Sequence, residues 1–155
     1  MHATIRLCLL LVLVPAHADD LRAAATAGDP WAQLNLGAAY DHGLNGLEPD
    51  PIEAVRWYRR AAEAGIAEAR FNLAHCLATG HGVARDDAEA AVWMARAARQ
   101  GLADAQFLLG VMLLEGVGLT ADPVQARSWL GRAAGQGQQD ARALLQQIDA
   151  TDSDR

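Results

Sequence analysis

The apolar and small residues of this chain recur at the spacing of a helix, and the helices themselves recur at a longer spacing. In four segments an alanine is followed by a leucine four residues later, which places both on one helical face: Ala32 and Leu36, Ala69 and Leu73, Ala105 and Leu109, Ala141 and Leu145. A tryptophan followed by an arginine and an Ala-Ala pair returns every 36 residues, at Trp57, Trp93 and Trp129. This period predicts stacked helix pairs, because one pair cannot bury its own apolar face.

Residues that begin and end helices frame these segments. Glycines follow both kinds of helix: Gly43, Gly80 and Gly116 after the first, Gly65, Gly101 and Gly137 after the second. Before each second helix an aspartate stands three residues ahead of Glu or Gln, a pattern that predicts reciprocal capping: Asp50 and Glu53, Asp86 and Glu89, Asp122 and Gln125. The first helices are therefore predicted over 30–42, 67–79, 103–114 and 139–149, and the second over 51–64, 87–100 and 123–135.

The pattern divides the chain into three full repeats with a half unit at each end. The repeats are predicted over 30–66, 67–102 and 103–138, after an N-terminal half repeat over 19–29. A capping helix is predicted over 139–150 and a disordered tail over 151–155. The expected fold is all-α, with eight helices.

The repeated phrase Ala-x-x-x-Leu, a Gly-rich turn, an Asp and then Ala-x-x-Trp-x-x-Arg-Ala-Ala-x-x-Gly resembles the Sel-like repeat family, relatives of the tetratricopeptide repeat. The resemblance covers nearly all of the chain after residue 18. It implies a right-handed α/α superhelical solenoid that binds proteins and supplies no catalytic residue. Some secreted members carry a disulfide in each unit, and this chain lacks that pattern.

The first eighteen residues have the pattern of a secretory signal peptide. Arg6 precedes an apolar run over 7–14, and Ala16-His17-Ala18 offers a small-x-small cleavage site before Asp19. The run is far shorter than the roughly 20 residues that span a bilayer. We expect cleavage after Ala18, and a periplasmic or secreted protein that is not inserted in the membrane.

Composition and the absence of known motifs limit the partners and reactions that the sequence supports. The formal net charge is −6 without a cluster of basic residues, which argues against nucleic acid as a partner. The histidines His42, His75 and His81 do not recur between repeats, and no serine-hydrolase, zinc-protease or phosphate-loop motif is present. No enzyme activity, metal or cofactor is therefore predicted. Cys76 stands where the other repeats have Ala39 and Met112, which favours a small buried apolar role.

Candidate partner-binding residues lie on the first helices. The resemblance implies that an Asn in the phrase Asn-Leu-Gly contacts the backbone of an extended peptide, and Asn35 and Asn72 occupy that position, with Leu108 in the third copy. The alternative is that both asparagines hydrogen-bond a neighbouring helix. The full candidate set is Asn35, Asn72, Trp31, Arg70, Gln106 and Leu108.

Three further interpretations concern aromatic and charged positions. The repeated tryptophans are interpreted as packing wedges. Trp31, where later repeats carry an acid, is either a cap over the leading helix or an exposed binding anchor. Each repeated arginine either pairs with an acid eight residues later or is an independent solvated charge: Arg60 and Glu68, Arg96 and Asp104, Arg132 and Asp140.

Together these features predict an exported protein-interaction module, an adaptor or regulator of the bacterial envelope whose partner is a protein or peptide. The alternative is a cell-envelope hydrolase related to the cysteine-rich members of the family.

Overall fold

The computed structural model describes residues 18–153, and all regular secondary structure within that range is helical. The helices are α1 (Ala18–Thr26), α2 (Pro30–His42), α3 (Pro51–Glu63), α4 (Ala67–Thr79), α5 (Asp87–Arg99), α6 (Ala103–Glu115), α7 (Pro123–Gly135) and α8 (Gln139–Ser153). The predicted signal peptide lies outside the described residues except for Ala18. The all-helical solenoid of paired helices predicted from the sequence is confirmed.

Aspartates cap the second helices, but only half of the predicted reciprocal arrangement forms. The Asp50 carboxylate accepts hydrogen bonds from the N–H groups of Ile52 and Glu53, both at 3.1 Å. The backbone N–H of Asp50 donates to the carbonyl of Tyr40 at 2.8 Å, so it is not available to Glu53. The same bond forms in the second and third repeats, where the backbone N–H of Asp86 donates to the carbonyl of Leu77 and that of Asp122 to the carbonyl of Leu113, both at 2.9 Å. The aspartate half of the capping prediction is confirmed, and the half that uses Glu or Gln is wrong, because this N–H ties the two helices of a repeat together.

Two turn glycines fix how successive repeats stack. Gly82 and Gly118 have φ angles of 70° and 71°. A Cβ atom added to Gly82 would lie 2.1 Å from the carbonyl oxygen of Pro51, and one added to Gly118 would lie 1.9 Å from the carbonyl oxygen of Asp87. The turns of the second and third repeats therefore rest on the start of the second helix of the repeat before them, and only glycine fits both the space and the backbone conformation.

Small residues let the helices approach closely along the whole stack. Each helix packs on its sequence neighbours, most extensively within a repeat. The residues at the centre of these contacts are fully buried alanines with leucines between them: Ala54, Ala61, Ala69, Ala90, Ala97, Ala105, Leu73 and Leu77. The core is therefore continuous through the three repeats.

The repeated tryptophans and arginines belong together. Trp93 is 7% exposed and lies in the central core, which confirms the packing role there, whereas Trp57 and Trp129 are partly buried. The guanidinium groups stack on the tryptophan of the same helix, each at 4.5 Å from the ring centroid: Arg60 on Trp57, Arg96 on Trp93, Arg132 on Trp129. Within residues 18–153 none of these arginines forms an ion pair with the acid eight positions later. That hypothesis is wrong, because a spacing of three places the cation over its own tryptophan.

The last helix is longer than predicted. It continues to Ser153, so the tail predicted to be disordered over 151–155 is helical up to that residue. The chain offers no glycine or proline to end the helix there, and the Thr151 hydroxyl donates to the carbonyl of Ile148 at 2.8 Å.

Candidate functional site

A polar pocket of about 460 Å³ lies where the first and second repeats meet. Its volume falls within the range of about 300–1,000 Å³ that is typical of ligand sites. We call it the junction pocket, and its lining residues are Asp41, His42, Tyr58, Asn72, His75, Cys76, Thr79, Gly80 and His81.

Helical spacing and one turn bring these side chains together. Asn72, His75 and Thr79 stand at positions i, i+3 and i+7 of α4 and so share one face. Asp41 comes from the last turn of α2. His81 follows the C-terminal end of α4, where Gly80 adopts a left-handed conformation with φ of 73°. The pocket therefore lies beside the C-terminal ends of two first helices.

Asp41 is the centre of the hydrogen bonding in the pocket. Its side chain is 13% exposed. Nε2 of His81, forty positions later in the chain, donates to Oδ1 of Asp41 at 2.7 Å. The Tyr58 hydroxyl donates to Oδ2 at 3.3 Å, and Nε2 of His42 lies 3.8 Å from the same oxygen. A largely buried carboxylate is thus held by groups from α2, α3 and the turn after α4.

Burial sets the protonation states around Asp41. It raises the pKa of the Tyr58 hydroxyl well above its ordinary value, and the nearby Asp41 charge adds to the effect. Burial, followed by the Asp41 charge, raises the pKa of the Cys76 thiol to about 12. Burial lowers the pKa of His75, although Asp41 opposes the shift. Near neutral pH the tyrosine and thiol are therefore protonated and His75 is uncharged.

Four of the lining positions are apolar in the other repeats. Asp41 and Tyr58 belong to the first repeat, and the second and third repeats carry Ala78 and Leu114 in place of Asp41, and Met94 and Leu130 in place of Tyr58. His75 and His81 belong to the second repeat, and the first and third repeats carry Ala38 and Val111 in place of His75, and Leu44 and Val117 in place of His81. The histidines do not recur between repeats, and their spacing along the chain does not bring them together. The missed signal is that the departures from the repeat fall at one junction.

Of the predicted partner-binding residues, the structure brings only Asn72 to the junction pocket. Asn35 holds the equivalent position on α2 and, like Asn72, is partly buried. Neither carboxamide hydrogen-bonds another group within residues 18–153, so the proposed bond to a neighbouring helix does not form. Leu108, at the same position of α6, packs against the central core.

Arg70 and Gln106 serve contacts inside the protein. Nε of Arg70 donates to the carbonyl of Ala62 at 3.0 Å, and Nε2 of Gln106 donates to the carbonyl of Ala98 at 3.1 Å. Gln33 makes the same contact in the first repeat, to Ala25 at 3.1 Å. Each bond fastens a first helix to the end of the preceding second helix. Gln106 is only 5% exposed and faces the interior.

Trp31 lies in the first turn of α2 with 47% of its surface exposed. Asp29 caps this turn by accepting a hydrogen bond from the Trp31 N–H at 2.8 Å. The core cluster between α1 and α2 is built from Leu21, Ala25 and their neighbours, without Trp31. Almost half of this indole therefore faces outward at the N-terminal end of the stack.

Metal-binding clusters and membrane-spanning helices are both absent from the described part of the chain. In residues 18–153 no group of three or more His, Cys, Asp or Glu side chains is arranged to hold a metal ion. Within the same range, no helix combines the length and the apolar character needed to cross a membrane.

Comparisons with known proteins agree with the repeat pattern. A Sel1 repeat protein from Oxalobacter formigenes is 40% identical in sequence, with a TM-score of 0.77 over 83% of this chain and 96% of that one. Cysteine-rich protein B of Helicobacter pylori shares the fold at 21% identity and a TM-score of 0.65, over 84% of this chain and 98% of that one. Chitin synthase regulatory factor 3 of Schizosaccharomyces pombe is 40% identical over 57 residues, which are 37% of this chain and 6% of that protein.

The Sel1 repeat itself is matched three times in succession, over residues 32–66, 67–102 and 103–138. Repeats of this kind generally form scaffolds for protein interaction. With most of its length accounted for by these three units, the chain belongs to the Sel1 repeat family.

Proposed function

We propose that the chain is an exported protein-interaction module, an adaptor or regulator of the cell envelope that holds an extended segment of a partner protein. The segment lies along the first-helix face, the surface of α2, α4 and α6 that carries Asn35, Asn72 and Leu108. Export rests on the signal-peptide pattern of residues 1–18. A protein partner is supported by the Sel1 repeats.

One observation carries the location of the partner. Asn35 and Asn72 occupy the same position of successive first helices, are partly buried, and make no hydrogen bond within the described residues. A carboxamide supplies both a donor and an acceptor, which is what the N–H and C=O groups of an extended backbone require. Two such groups on neighbouring helices can hold a peptide backbone whatever its sequence.

The junction pocket lends no support to the hydrolase alternative. Its one thiol, Cys76, is buried with a pKa raised to about 12, so a reactive thiolate is disfavoured near neutral pH. The nearby His75 is neutral, but no hydrogen bond joins it to the thiol among the described side chains.

Partner capture tests the location. The double variant Asn35→Ala and Asn72→Ala is expected to lose cross-linking to envelope proteins while its thermal unfolding is unchanged. Gln146→Ala, which removes an exposed carboxamide from α8, is the matched control and should capture the partner normally. Full capture by the double variant contradicts the proposal. Mass spectrometry of the exported protein tests cleavage after Ala18, and retention of Met1 contradicts it.

Trp31 provides a second test at the end of the stack. If its exposed indole anchors the partner, Trp31→Glu abolishes capture without altering stability. Val124→Glu is the control, because Val124 is 82% exposed at the start of α7. A lower melting temperature with normal capture would instead identify Trp31 as a cap over α1.

A further inference from the structure

We propose that the junction pocket binds a positively charged side chain, an arginine or lysine of the partner segment, with Asp41 as its counter-ion. The inference rests on the proposed function, since it places one side chain of the segment whose backbone lies along Asn35 and Asn72. It adds a specificity pocket to that otherwise sequence-independent contact.

The charge of the pocket favours a cation. Among the described residues that line it, Asp41 is the only carboxylate, and none is a lysine or an arginine. The other titratable lining groups are His42 on α2, Tyr58 on α3, His75 and Cys76 on α4, and His81 in the turn. A carboxylate that is largely removed from water is stabilised most by a group of full positive charge.

The backbone around the pocket has the same preference. Asp41 and His42 lie in the last turn of α2, and Thr79 and Gly80 lie at the end of α4. The C-terminal end of a helix carries a partial negative charge, which attracts cations and disfavours anions. Two such ends adjoin the same cavity. An anionic ligand would meet these ends and Asp41 without a fixed positive charge to balance them.

Asp41 has the capacity to accept a further donor. A carboxylate offers about four lone-pair positions, and within residues 18–153 the side chains that donate hydrogen bonds to Asp41 are His81 and Tyr58. The His81 side chain is 48% exposed and comes from a turn, so an entering guanidinium or ammonium group can replace it on Oδ1. Uncharged His75 offers an imidazole nitrogen as an additional acceptor.

The position and charge of the protein are consistent with this occupant. Asn72 lines the same pocket, so a backbone held at Asn72 places its neighbouring side chain at the opening. The net charge of −6 favours the approach of a basic segment.

The test uses short peptides that differ at one position. The probes are Ac-Ala-Ala-Xaa-Ala-Ala-amide, with Xaa arginine, lysine, citrulline or glutamate, titrated at low salt by calorimetry. Citrulline matches arginine in shape but is neutral. We expect binding of the arginine and lysine peptides, and weaker binding of the other two by about tenfold or more, the change associated with one charge-assisted contact. Equal binding of the citrulline peptide, or tighter binding of the glutamate peptide, overturns the inference.

Two variants separate Asp41 from the general charge of the protein. Asp41→Asn should weaken the binding of the arginine peptide by about tenfold. Glu115→Gln removes the same charge from the last turn of α6, outside the pocket, and should leave binding unchanged. An equal loss in both variants contradicts a specific site. If Asp41→Asn does not fold, the imidazole NMR signals of His75 and His81 in the original protein must shift as the arginine peptide is added, and their constancy contradicts the inference.

Free arginine amide distinguishes the source of the cation. Binding as tight as that of the peptide would make the pocket a small-molecule site and contradict the partner assignment. The proposed function fails separately: if Asn35→Ala with Asn72→Ala still captures partners, the first-helix face is wrong. If capture requires both asparagines but the arginine peptide does not bind, only the pocket inference fails.

Discussion

Four polar side chains at the junction between the first and second repeats are replaced by apolar ones at the junction between the second and third, on the same backbone. Asp41, Tyr58, His75 and His81 line the first, and their counterparts in the second are Ala78, Met94, Val111 and Val117. Both junctions keep the stacking glycine of the turn, Gly82 in one and Gly118 in the other. The scaffold therefore fixes how the repeats stack and leaves this group of positions free to form a site.

The packing beneath the two junctions changes in a compensated way. A Cβ atom at Gly37 would lie 2.6 Å from the Tyr58 ring, so the bulky tyrosine requires glycine on the facing helix. In the second repeat the unbranched Met94 stands opposite Ala74. In the third repeat a Cβ atom at Gly110 would lie 2.7 Å from the Leu130 side chain, so glycine is required opposite this position whether the side chain there is polar or apolar.

The largest expected effect concerns packing that the repeats share. Trp93→Ala should lower the free energy of unfolding by roughly 3–5 kcal/mol, because it empties a buried aromatic site. Trp57→Ala is the comparison and should cost less, since Trp57 is partly exposed. Urea denaturation measures both. A loss below about 1 kcal/mol for Trp93→Ala, which is typical of surface changes, contradicts the packing role.

The compensated packing yields the second prediction. Gly37→Ala should destabilise the protein by roughly 1–3 kcal/mol, since the new methyl group collides with Tyr58. Adding Tyr58→Met recreates the Ala74 and Met94 pair of the second repeat and should recover part of the loss. A double-mutant cycle by chemical denaturation measures the coupling. If the stability losses of the two single variants simply add, the sizes of residues 37 and 58 are not matched to each other.

A smaller effect, the dependence of folding stability on pH, should arise from the first junction because only that junction contains His75. Burial lowers the pKa of His75 in the folded protein, so the unfolded chain takes up this proton at a higher pH than the folded chain does. Lowering the pH from about 7.5 through the ordinary imidazole value of about 6.5 should therefore decrease stability. The variant His75→Ala, which carries the alanine found at the corresponding position of the first repeat, should lose less stability over that pH range. Parallel pH profiles of unfolding for the two proteins contradict this account.

The helices and their order could be predicted from the sequence because their signals are local. Asp50 at a helix start and Gly43 at a helix end act within a few residues, and the repeat reinforces each signal three times. The junction pocket could not be found in this way, because Asp41 and His81 are forty positions apart and meet only through stacking. The sequence predicts Gln106 as a partner-binding residue and misses its inward direction for a related reason, because that direction depends on the Ala98 carbonyl of another helix.

The smallest expected effect belongs to a feature that both junctions share. Arg96→Ala removes the cation stacked on Trp93 and should cost about 0.5–1 kcal/mol, the usual value for an exposed cation–π contact. Arg60→Ala should cost a similar amount, since Arg60 stacks on Trp57 at the same 4.5 Å. In a cycle with Asp104→Ala, the coupling to Arg96 should be absent, because the guanidinium faces its own helix. Measurable coupling between Arg96 and Asp104 would restore the ion pair and show that charge, and not aromatic stacking, accounts for the repeated arginine.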